Sequence, residues 1–134
     1  MTRVFADSFY FLALINPRDK AHARALEFSE TLETPVLTTA WILTEVADAL
    51  SQPPGRAAVV KLLRKLESDS SFTILPPDQI VFRQGFDLYA SRTDKSWSLT
   101  DCISFAVMRQ HGITESLTGD RHFEQAGFKA LLRP

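Results

Sequence analysis

The amino-acid sequence predicts an α/β fold in which a mostly parallel sheet lies between layers of helices. The first observation behind this class is that strand-like and helical segments alternate from one end of the chain to the other. The second is that the strand–helix unit repeats, which is typical of parallel sheets. The third is the length of 134 residues. This length predicts a single domain over residues 1–134, with enough buried surface for a sheet covered on both sides.

Local signals place two strands and four helices in the first half of the chain. Asn16-Pro17 stops the first helix, and apolar residues at helical spacing between Ala21 and Leu32 predict the second. The run Ser51-Gln52-Pro53-Pro54-Gly55 closes the third helix, and a single apolar face marks the fourth. The predicted elements are a strand at 3–6, helices at 8–15 and 18–32, a strand at 35–38, and helices from 39 or 40 to 50 and from about 56 to 67.

The second half of the chain predicts three more strands, two long helices and a short helical turn. Pro76-Pro77-Asp78 begins one of the long helices, because proline suits the start of a helix and aspartate caps it. Gly112 ends the other long helix. The predicted elements are strands at 72–75, 115–118 and 128–132, helices at 78–91 and 99–111, and a helical turn at 121–125.

Composition and charge describe an ordinary globular chain with no strong electrostatic bias. Hydrophobic residues make up 45% and charged residues 23% of the sequence, and the formal net charge is −1. No global positive field therefore attracts nucleic acid, so RNA or DNA binding would depend on local Lys and Arg together with a metal.

The single cysteine, Cys102, excludes an intramolecular disulfide and fits a reducing compartment. Its place in an apolar helical run predicts a small core residue rather than a nucleophile. The apolar run 9–15 lacks the basic flank and the cleavage site of a secretory signal, and no segment reaches the length of a membrane span. The predicted location is cytoplasmic.

Four acidic residues lie where separate segments of the predicted sheet converge: Asp7, Glu45, Asp101 and Asp120. Asp7 and Asp120 follow strand-like runs, Glu45 lies in the helix after the second strand, and Asp101 opens the most apolar helix. In an open α/β sheet, the carboxyl ends of the strands and the starts of the next helices form the ligand crevice. Carboxylates gathered there repel one another unless they are protonated or bind a cation. Since oxygen ligands suit Mg²⁺ or Mn²⁺, the pattern predicts a metal-dependent phosphodiesterase with one or two ions.

Each of these acids also has a purely structural interpretation. Asp7 and Asp120 are suited to cap the helices that follow them. Glu45 lies at the edge of an apolar helix face, where a solvated glutamate is equally expected. Asp101, in a first helical turn, would stabilise the helix dipole beside a Ser or Thr cap. The joint placement of the four acids favours a site.

Other catalytic chemistries find no support in the sequence. It contains no glycine-rich phosphate loop, no Cys/His zinc spacing and no GxSxG nucleophile elbow. The three histidines, His22, His111 and His122, are scattered along the chain. A phosphatase-like site with a second acid two residues after its nucleophilic aspartate is disfavoured, because Phe9 holds that position after Asp7.

Four segments of the chain resemble the PIN-domain family of nucleases, particularly its small members similar to VapC toxins. They are residues 4–14 (VFADSFYFLAL) with Asp19 and His22 beyond, Thr44-Glu45-Val46 with Leu50, residues 99–105 (LTDCISF) and residues 118–123 (TGDRHF). The segments occur in family order and span nearly the whole chain. No single segment is highly specific, whereas the ordered set is.

The resemblance implies a Rossmann-like three-layer α/β/α sandwich with a parallel sheet of about five strands. It implies that the four acids named above form a Mg²⁺ or Mn²⁺ site with one or two ions. Ser8 and Thr100 match small hydroxyl positions beside the acids and are expected to support them. A homodimer is implied as well, together with a small antitoxin that blocks the site in the toxin members.

The expected function is that of a metal-dependent endoribonuclease, the toxin component of a VapBC-type toxin–antitoxin pair, acting on tRNA or rRNA. The alternative is a non-catalytic PIN-like module that binds RNA or protein. Arg121, Arg92 and Lys95 are candidates for contacts to the RNA backbone, with solvated surface charge as the competing interpretation. Trp97, in a predicted loop, is either a packing residue or a stacking platform for a base.

Overall fold

The computed structural model describes residues 2–134, so Met1, the first residue of the predicted domain, lies outside the described part. Five strands and seven helices follow one another within these residues. The strands are β1 (Val4–Ala6), β2 (Val36–Thr39), β3 (Phe72–Leu75), β4 (Glu115–Leu117) and β5 (Lys129–Ala130). The helices are α1 (Ser8–Ile15), α2 (His22–Thr31), α3 (Ala40–Ala49), α4 (Gly55–Ser68), α5 (Gln79–Ser91), α6 (Leu99–Gln110) and α7 (Arg121–Gln125).

The five strands form one sheet in the order β3-β2-β1-β4-β5, and every pair is parallel. The chain moves outward from β1 to β3 on one side and then crosses to β4 and β5 on the other side of β1. The strand order therefore reverses between β1 and β4. At such a switch point the loops after the two strands diverge and leave a crevice at the carboxyl edge of the sheet.

The helices pack in two sets that cover the sheet. In one set α1 contacts α2 and α3, and α3 contacts α4; in the other α5 packs along α6, and α6 contacts α7. Fully buried side chains of the sheet, such as Phe5 and Leu37, meet those of the helices, such as Phe11 and Phe105. This architecture confirms the predicted α/β/α sandwich with its five-stranded parallel sheet. None of the helices between residues 2 and 134 combines the length and apolar character needed to cross a membrane.

Two predicted elements are longer than the observed ones, while the other boundaries agree within one residue. The helix predicted from residue 18 begins at His22, because a carboxylate oxygen of Asp19 accepts the backbone N–H of Ala21 and holds a turn there. The strand predicted over 128–132 is limited to Lys129–Ala130. The chain turns after this strand, and the N–H of Leu132 donates to the carbonyl of Thr118, beyond the end of β4.

The close packing of α5 against α6 depends on Gly85. A Cβ atom added at this position would lie 2.4 Å from Cγ1 of Ile103 and 2.8 Å from its Cα. Only glycine lets the two helices approach so closely, because the obstructing atoms include the backbone of α6. This contact fixes the position of α6, the helix that carries Asp101.

Two residues with a predicted place in the core are buried. Cys102 is a fully buried free thiol in α6, which confirms its prediction as a core residue. Trp97 is 5% exposed, and its ring packs edge-on against Phe105 with ring centroids 5.1 Å apart. The buried ring supports the packing interpretation of Trp97 over the stacking one.

Candidate metal centre

The pairing of β1 with β4 places the ends of the two strands side by side at the switch point. Phe5 pairs with Ser116 and Ala6 with Leu117, so Asp7 and Thr118, the residues that follow, lie next to each other. The N–H of Asp7 continues the ladder by donating to the carbonyl of Leu117 at 3.4 Å. A hydroxyl and a carboxylate from distant parts of the sequence therefore meet in the crevice.

Asp7 occupies the N-cap position of α1, yet its side chain accepts no capping hydrogen bond. The carboxylate, in a residue that is only 4% exposed, instead accepts a hydrogen bond from the Thr118 hydroxyl, with 2.7 Å between Oγ1 and Oδ2. The pKa of Asp7 is raised from 3.8 to about 7, chiefly by burial and also by the neighbouring charges of Asp101 and Glu45, against the opposing effect of the Thr118 hydrogen bond. The Asp7 carboxylate is therefore held by Thr118 and does not cap α1.

Thr118 also connects Asp7 to Asp120. Its Oγ1 accepts the backbone N–H of Asp120 at 3.0 Å while its hydroxyl proton points to Asp7. Asp120 in turn caps α7, because its Oδ1 accepts the backbone N–H of His122 at 2.8 Å. The predicted capping role of Asp120 is therefore present, and it leaves the carboxylate in the crevice.

Asp101 is held at the start of α6 by a reciprocal capping box with Ser98. The N–H of Ser98 donates to Oδ2 of Asp101 at 3.1 Å, and the N–H of Asp101 donates to Oγ of Ser98 at 3.0 Å. Nδ1 of His122 lies 3.0 Å from the same Oδ2. Burial raises the pKa of Asp101, helped by the charge of Asp120 and opposed by the Ser98 N–H and by His122. Ser98 is therefore the cap that was expected beside Asp101.

Asp101, Asp120 and His122 form a compact group of potential metal ligands. One ligand atom from each of the three residues lies within 4.8 Å of the others. Among residues 2–134, neither Asp7 nor Glu45 is part of a group that meets this spacing. Two of the four predicted acids, Asp101 and Asp120, thus lie close enough to bind the same ion. Asp7 and Glu45 lie outside this group, but the charges of Asp101 and Glu45 both raise the pKa of Asp7.

Glu45 reaches the crevice from α3. The hydroxyl of Thr39 caps this helix by accepting the N–H of Ile42 at 3.2 Å, which fixes the helix at the carboxyl end of β2. The side chain of Glu45 is partly exposed, and its Oε1 accepts the Ser8 hydroxyl at 2.5 Å. Because Ser8 directly follows Asp7, this bond ties Glu45 to the crevice and argues against a purely solvated glutamate.

The supporting residues differ in part from those expected. Ser8 contacts Glu45, whereas in the described part of the chain the Thr100 side chain forms no hydrogen bond with any of the four acids. Thr118 and His122 were not predicted as site residues, although both lie in the segment 118–123 that resembles the family. A polar residue that directly follows a strand and stands two residues before an acid was the available signal for Thr118. The contact of His122 depends on the tertiary fold.

The carboxylates of the group fit a hard divalent cation. Carboxylate oxygens suit Mg²⁺ or Mn²⁺, whereas the imidazole nitrogen of His122 is a ligand more typical of Zn²⁺, Fe²⁺ or Ni²⁺. The raised pKa values of Asp7 and Asp101 also mark carboxylates whose charged forms lack compensation within the protein. A bound cation would provide this compensation.

Without metal, Asp7 is expected to make the stability of the protein depend on pH. Its folded pKa of about 7 exceeds the ordinary value of 3.8, so the folded state keeps a proton that the unfolded chain has released. The free energy of unfolding therefore falls as the pH rises through this window, by at most about 1.4 kcal/mol per pH unit. Asp7→Asn, whose amide oxygen can still accept from Thr118, is expected to flatten this dependence and to be more stable than the unsubstituted protein above neutral pH.

Urea unfolding in EDTA at about pH 5 and about pH 8 measures this effect through the midpoint and slope of each transition. Asp48→Asn, at an exposed position of α3, is the matched control and is expected to change neither curve. An Asp7→Asn protein with the same loss of stability between the two pH values as the unsubstituted protein would contradict the assignment of the effect to Asp7.

Known proteins share the sequence pattern and the fold of this chain. Residues 4–129 match the profile of the PIN domain. The 23S rRNA-specific endonuclease VapC20, found in two strains of Mycobacterium tuberculosis, is 29% identical over 126 residues, which cover 93% of this chain and 95% of that protein.

Solved structures show the same architecture. The crystal structure of Mycobacterium tuberculosis VapC20, described as a sarcin–ricin loop cleaving toxin, superposes with a TM-score of 0.85 at 25% identity, over 93% of this chain and 95% of that one. FitAcB from Neisseria gonorrhoeae shares the fold with a TM-score of 0.65 at 20% identity, over 95% of this chain and 94% of that one. Since the PIN profile spans nearly all of the sequence, this chain belongs to the PIN domain family.

Proposed function

We propose that this chain is a metal-dependent endoribonuclease that hydrolyses phosphodiester bonds in RNA. The observation that carries the proposal is the pair of buried acids Asp7 and Asp101, both with raised pKa, at the switch point of the sheet. Like charges buried together reduce the stability of a fold, so their presence in a crevice favours a functional site. Membership of the PIN family and the similarity to a 23S rRNA-specific endonuclease support the activity.

The proposed catalytic and metal-binding residues are Asp7, Glu45, Asp101 and Asp120, with Mg²⁺ or Mn²⁺ as one or two ions. His122 joins them as a ligand or as a positioning residue for Asp101. When bound, the metal supplies charge neutralisation at the phosphate and lowers the pKa of the attacking water.

The chain itself orients the acids. Thr118 directs Oδ2 of Asp7, and Ser8 directs Oε1 of Glu45. Ser98 and His122 together direct Oδ2 of Asp101. Each of these hydrogen bonds fixes one oxygen of a carboxylate, so that the geometry of the acids is set before a metal or an RNA phosphate arrives.

The biological role that we propose is the toxin of a VapBC-type pair, acting in the cytoplasm as a single domain over residues 1–134. Its partners would be a small antitoxin, a second copy of the chain in a homodimer, and rRNA or tRNA as substrate. The similarity to VapC20 supports the toxin role and an rRNA substrate. The buried free thiol of Cys102 is consistent with a reducing compartment.

Cleavage of ribosomal RNA and tRNA in Mn²⁺, Mg²⁺ and EDTA tests the proposal. We expect cutting only with a divalent metal, and at least about 10-fold slower cutting by Glu45→Gln, because the amide removes a negative charge from the site. Asp48→Asn, on the exposed side of the same helix, is expected to cut like the unsubstituted protein.

The outcomes separate the two functions considered. Equal cutting in EDTA, or equal cutting by Glu45→Gln, would contradict a metal site built on these acids. A folded protein that binds RNA and Mn²⁺ but leaves every substrate intact would favour the non-catalytic PIN-like module.

A further inference from the structure

The loop between α5 and α6 lies over a second cavity, distinct from the crevice of the acids. The cavity has a volume of about 590 Å³ and is lined by Tyr89 at the end of α5, by Arg92, Lys95 and Trp97 of the loop, and by Ser98 at the start of α6. This volume falls in the range of cavities that hold small organic ligands, roughly 300–1,000 Å³. No residue of the proposed acid set lines it.

The cavity adjoins the acid cluster through two contacts. Ser98, which lines the cavity, is the residue that holds Asp101 in the capping box. The indole N–H of Trp97 donates to Oε1 of Gln125 at 3.0 Å, which ties the loop to α7, the helix that begins with Arg121 and contains His122. The loop that lines the cavity is therefore connected by hydrogen bonds both to Asp101 and to α7.

Aromatic residues of the cavity have two different roles. The buried Trp97 ring lies under two cations, with the guanidinium carbon of Arg92 at 5.0 Å and Nζ of Lys95 at 5.7 Å from its centroid. These contacts hold both cations at the cavity. Tyr89, in contrast, is 47% exposed, so that its ring offers an apolar surface to a ligand. Tyr89 rather than Trp97 is placed to stack on a base.

The two cations differ in their pairing. Arg92 donates from Nε and Nη2 to the two carboxylate oxygens of Asp94, each at 2.9 Å, so its charge is already compensated. Within residues 2–134 no carboxylate lies within 4.0 Å of the Lys95 ammonium group, so this cation, which lies over the Trp97 ring and near the charge of Asp94, has no ion pair that an anionic ligand would have to break. A phosphate group is such an anion.

We propose that this cavity binds one unpaired nucleotide of the RNA substrate beside the bond that is cut. Tyr89 stacks on the base, and Lys95 contacts a phosphate of the backbone. The inference rests on the proposed nuclease function and deepens it, since it defines a single-stranded RNA subsite outside the acid cluster. An exposed aromatic ring next to a cation without an ion pair is the combination that favours single-stranded nucleic acid over an acidic peptide, which has no base to stack.

Fluorescence anisotropy with labelled oligoadenylate RNA tests this subsite, in an Asp101→Asn background with Mg²⁺ present. Tyr89→Ala is expected to weaken binding roughly 10-fold without changing the salt dependence, while Tyr89→Phe retains affinity because the ring remains. Lys95→Gln is expected to weaken binding and to reduce the slope of log affinity against log salt by about 0.7, the value for one lost phosphate contact.

Two matched controls lie outside the cavity. Phe86→Ala removes an exposed aromatic ring of α5 outside the cavity, and Lys61→Gln removes an exposed lysine of α4. Both are expected to bind RNA like the parent protein. Because Tyr89 and Lys95 are partly or largely exposed, circular dichroism is expected to show folded variants throughout.

The possible failures are distinguishable. Unchanged affinity of Tyr89→Ala and Lys95→Gln, with normal metal-dependent cleavage by the unsubstituted protein, would overturn the subsite and leave the nuclease in place. An absence of both RNA binding and cleavage would overturn the two together. If Lys95→Gln weakens binding of a polyglutamate peptide as much as that of RNA, while Tyr89→Ala has no effect, the cavity is a peptide site and the inference is wrong.

Discussion

Asp101→Asn is expected to reduce metal-dependent RNA cleavage by at least about 100-fold. Asp101 lies in the compact ligand group with Asp120 and His122, and burial has already raised its pKa. Replacing the carboxylate with an amide removes the negative charge that a divalent cation needs. The loss is expected in the rate of cleavage and in metal affinity alike.

Asp101→Asn is expected to leave the free energy of unfolding nearly unchanged in the absence of metal. The amide oxygen of asparagine can accept the Ser98 N–H as Oδ2 of Asp101 does, so the capping box of α6 is kept. Asp101→Ala would remove that acceptor and is expected to cost about a further 1 kcal/mol in the free energy of unfolding. The comparison of the two variants separates the chemical role of the residue from its role in the cap.

Thermal unfolding with and without Mn²⁺ provides a readout that does not depend on catalysis. A cation that binds only the folded state at 100 times its dissociation constant stabilises it by about 2.7 kcal/mol. We expect this stabilisation for the unsubstituted protein and for Asp87→Asn, an exposed acid of α5, but not for Asp101→Asn. Equal stabilisation of Asp101→Asn by Mn²⁺ would place the metal elsewhere.

Gly85→Ala adds only a methyl group, yet it is expected to lower the free energy of unfolding substantially. The new Cβ would lie 2.4 Å from Cγ1, 2.8 Å from Cα and 2.9 Å from the backbone N of Ile103, so α5 and α6 must separate. Such overpacking costs about 3 kcal/mol, and the better helix propensity of alanine returns about 1 kcal/mol. A net loss of about 2 kcal/mol corresponds to a melting temperature lower by roughly 7 °C.

Gly55→Ala is the matched control for this experiment. It adds the same methyl group at the start of α4, where the nearest atoms are Cβ and the carbonyl oxygen of Leu50, both at 3.2 Å. The expected change in the free energy of unfolding is below about 1 kcal/mol. A melting temperature of Gly85→Ala equal to that of Gly55→Ala would show that α6 moves away from α5 without cost. This outcome would contradict the close fit of the two helices at Gly85.

Local signals in the sequence were strong enough to place nearly every element. Asp78 begins α5 as its N-cap, with its carboxylate accepting the N–H groups of Ile80 and Val81. Asn16 and Gly112 end helices near the predicted positions, since glycine and proline signals act within a few residues. The error at α2 has a local cause too, because the Asp19 turn competes with a helical pattern that the apolar spacing alone suggests.

The candidate site was predictable only as a set of acids near one edge of the sheet. The repeated strand–helix unit implies a crevice at the carboxyl ends of the strands, and Asp7, Glu45, Asp101 and Asp120 follow from that topology. Which side chains hold these acids did not follow from it. His122 lies 21 residues from Asp101 in sequence and Thr118 lies 111 from Asp7, so their contacts exist only once the helices and strands are packed.

The amino-acid sequence by itself determined the fold class and the order of the elements, because periodicity, caps and turn residues act over short stretches of chain. It also predicted the four acids of the candidate site. The tertiary structure alone decided how deeply the acids are buried and which of them lie in contact range. It also decided that Trp97 is covered while Tyr89 is exposed beside Lys95. The reason is physical: desolvation and hydrogen bonding depend on neighbours that are distant in sequence and close only in the folded chain.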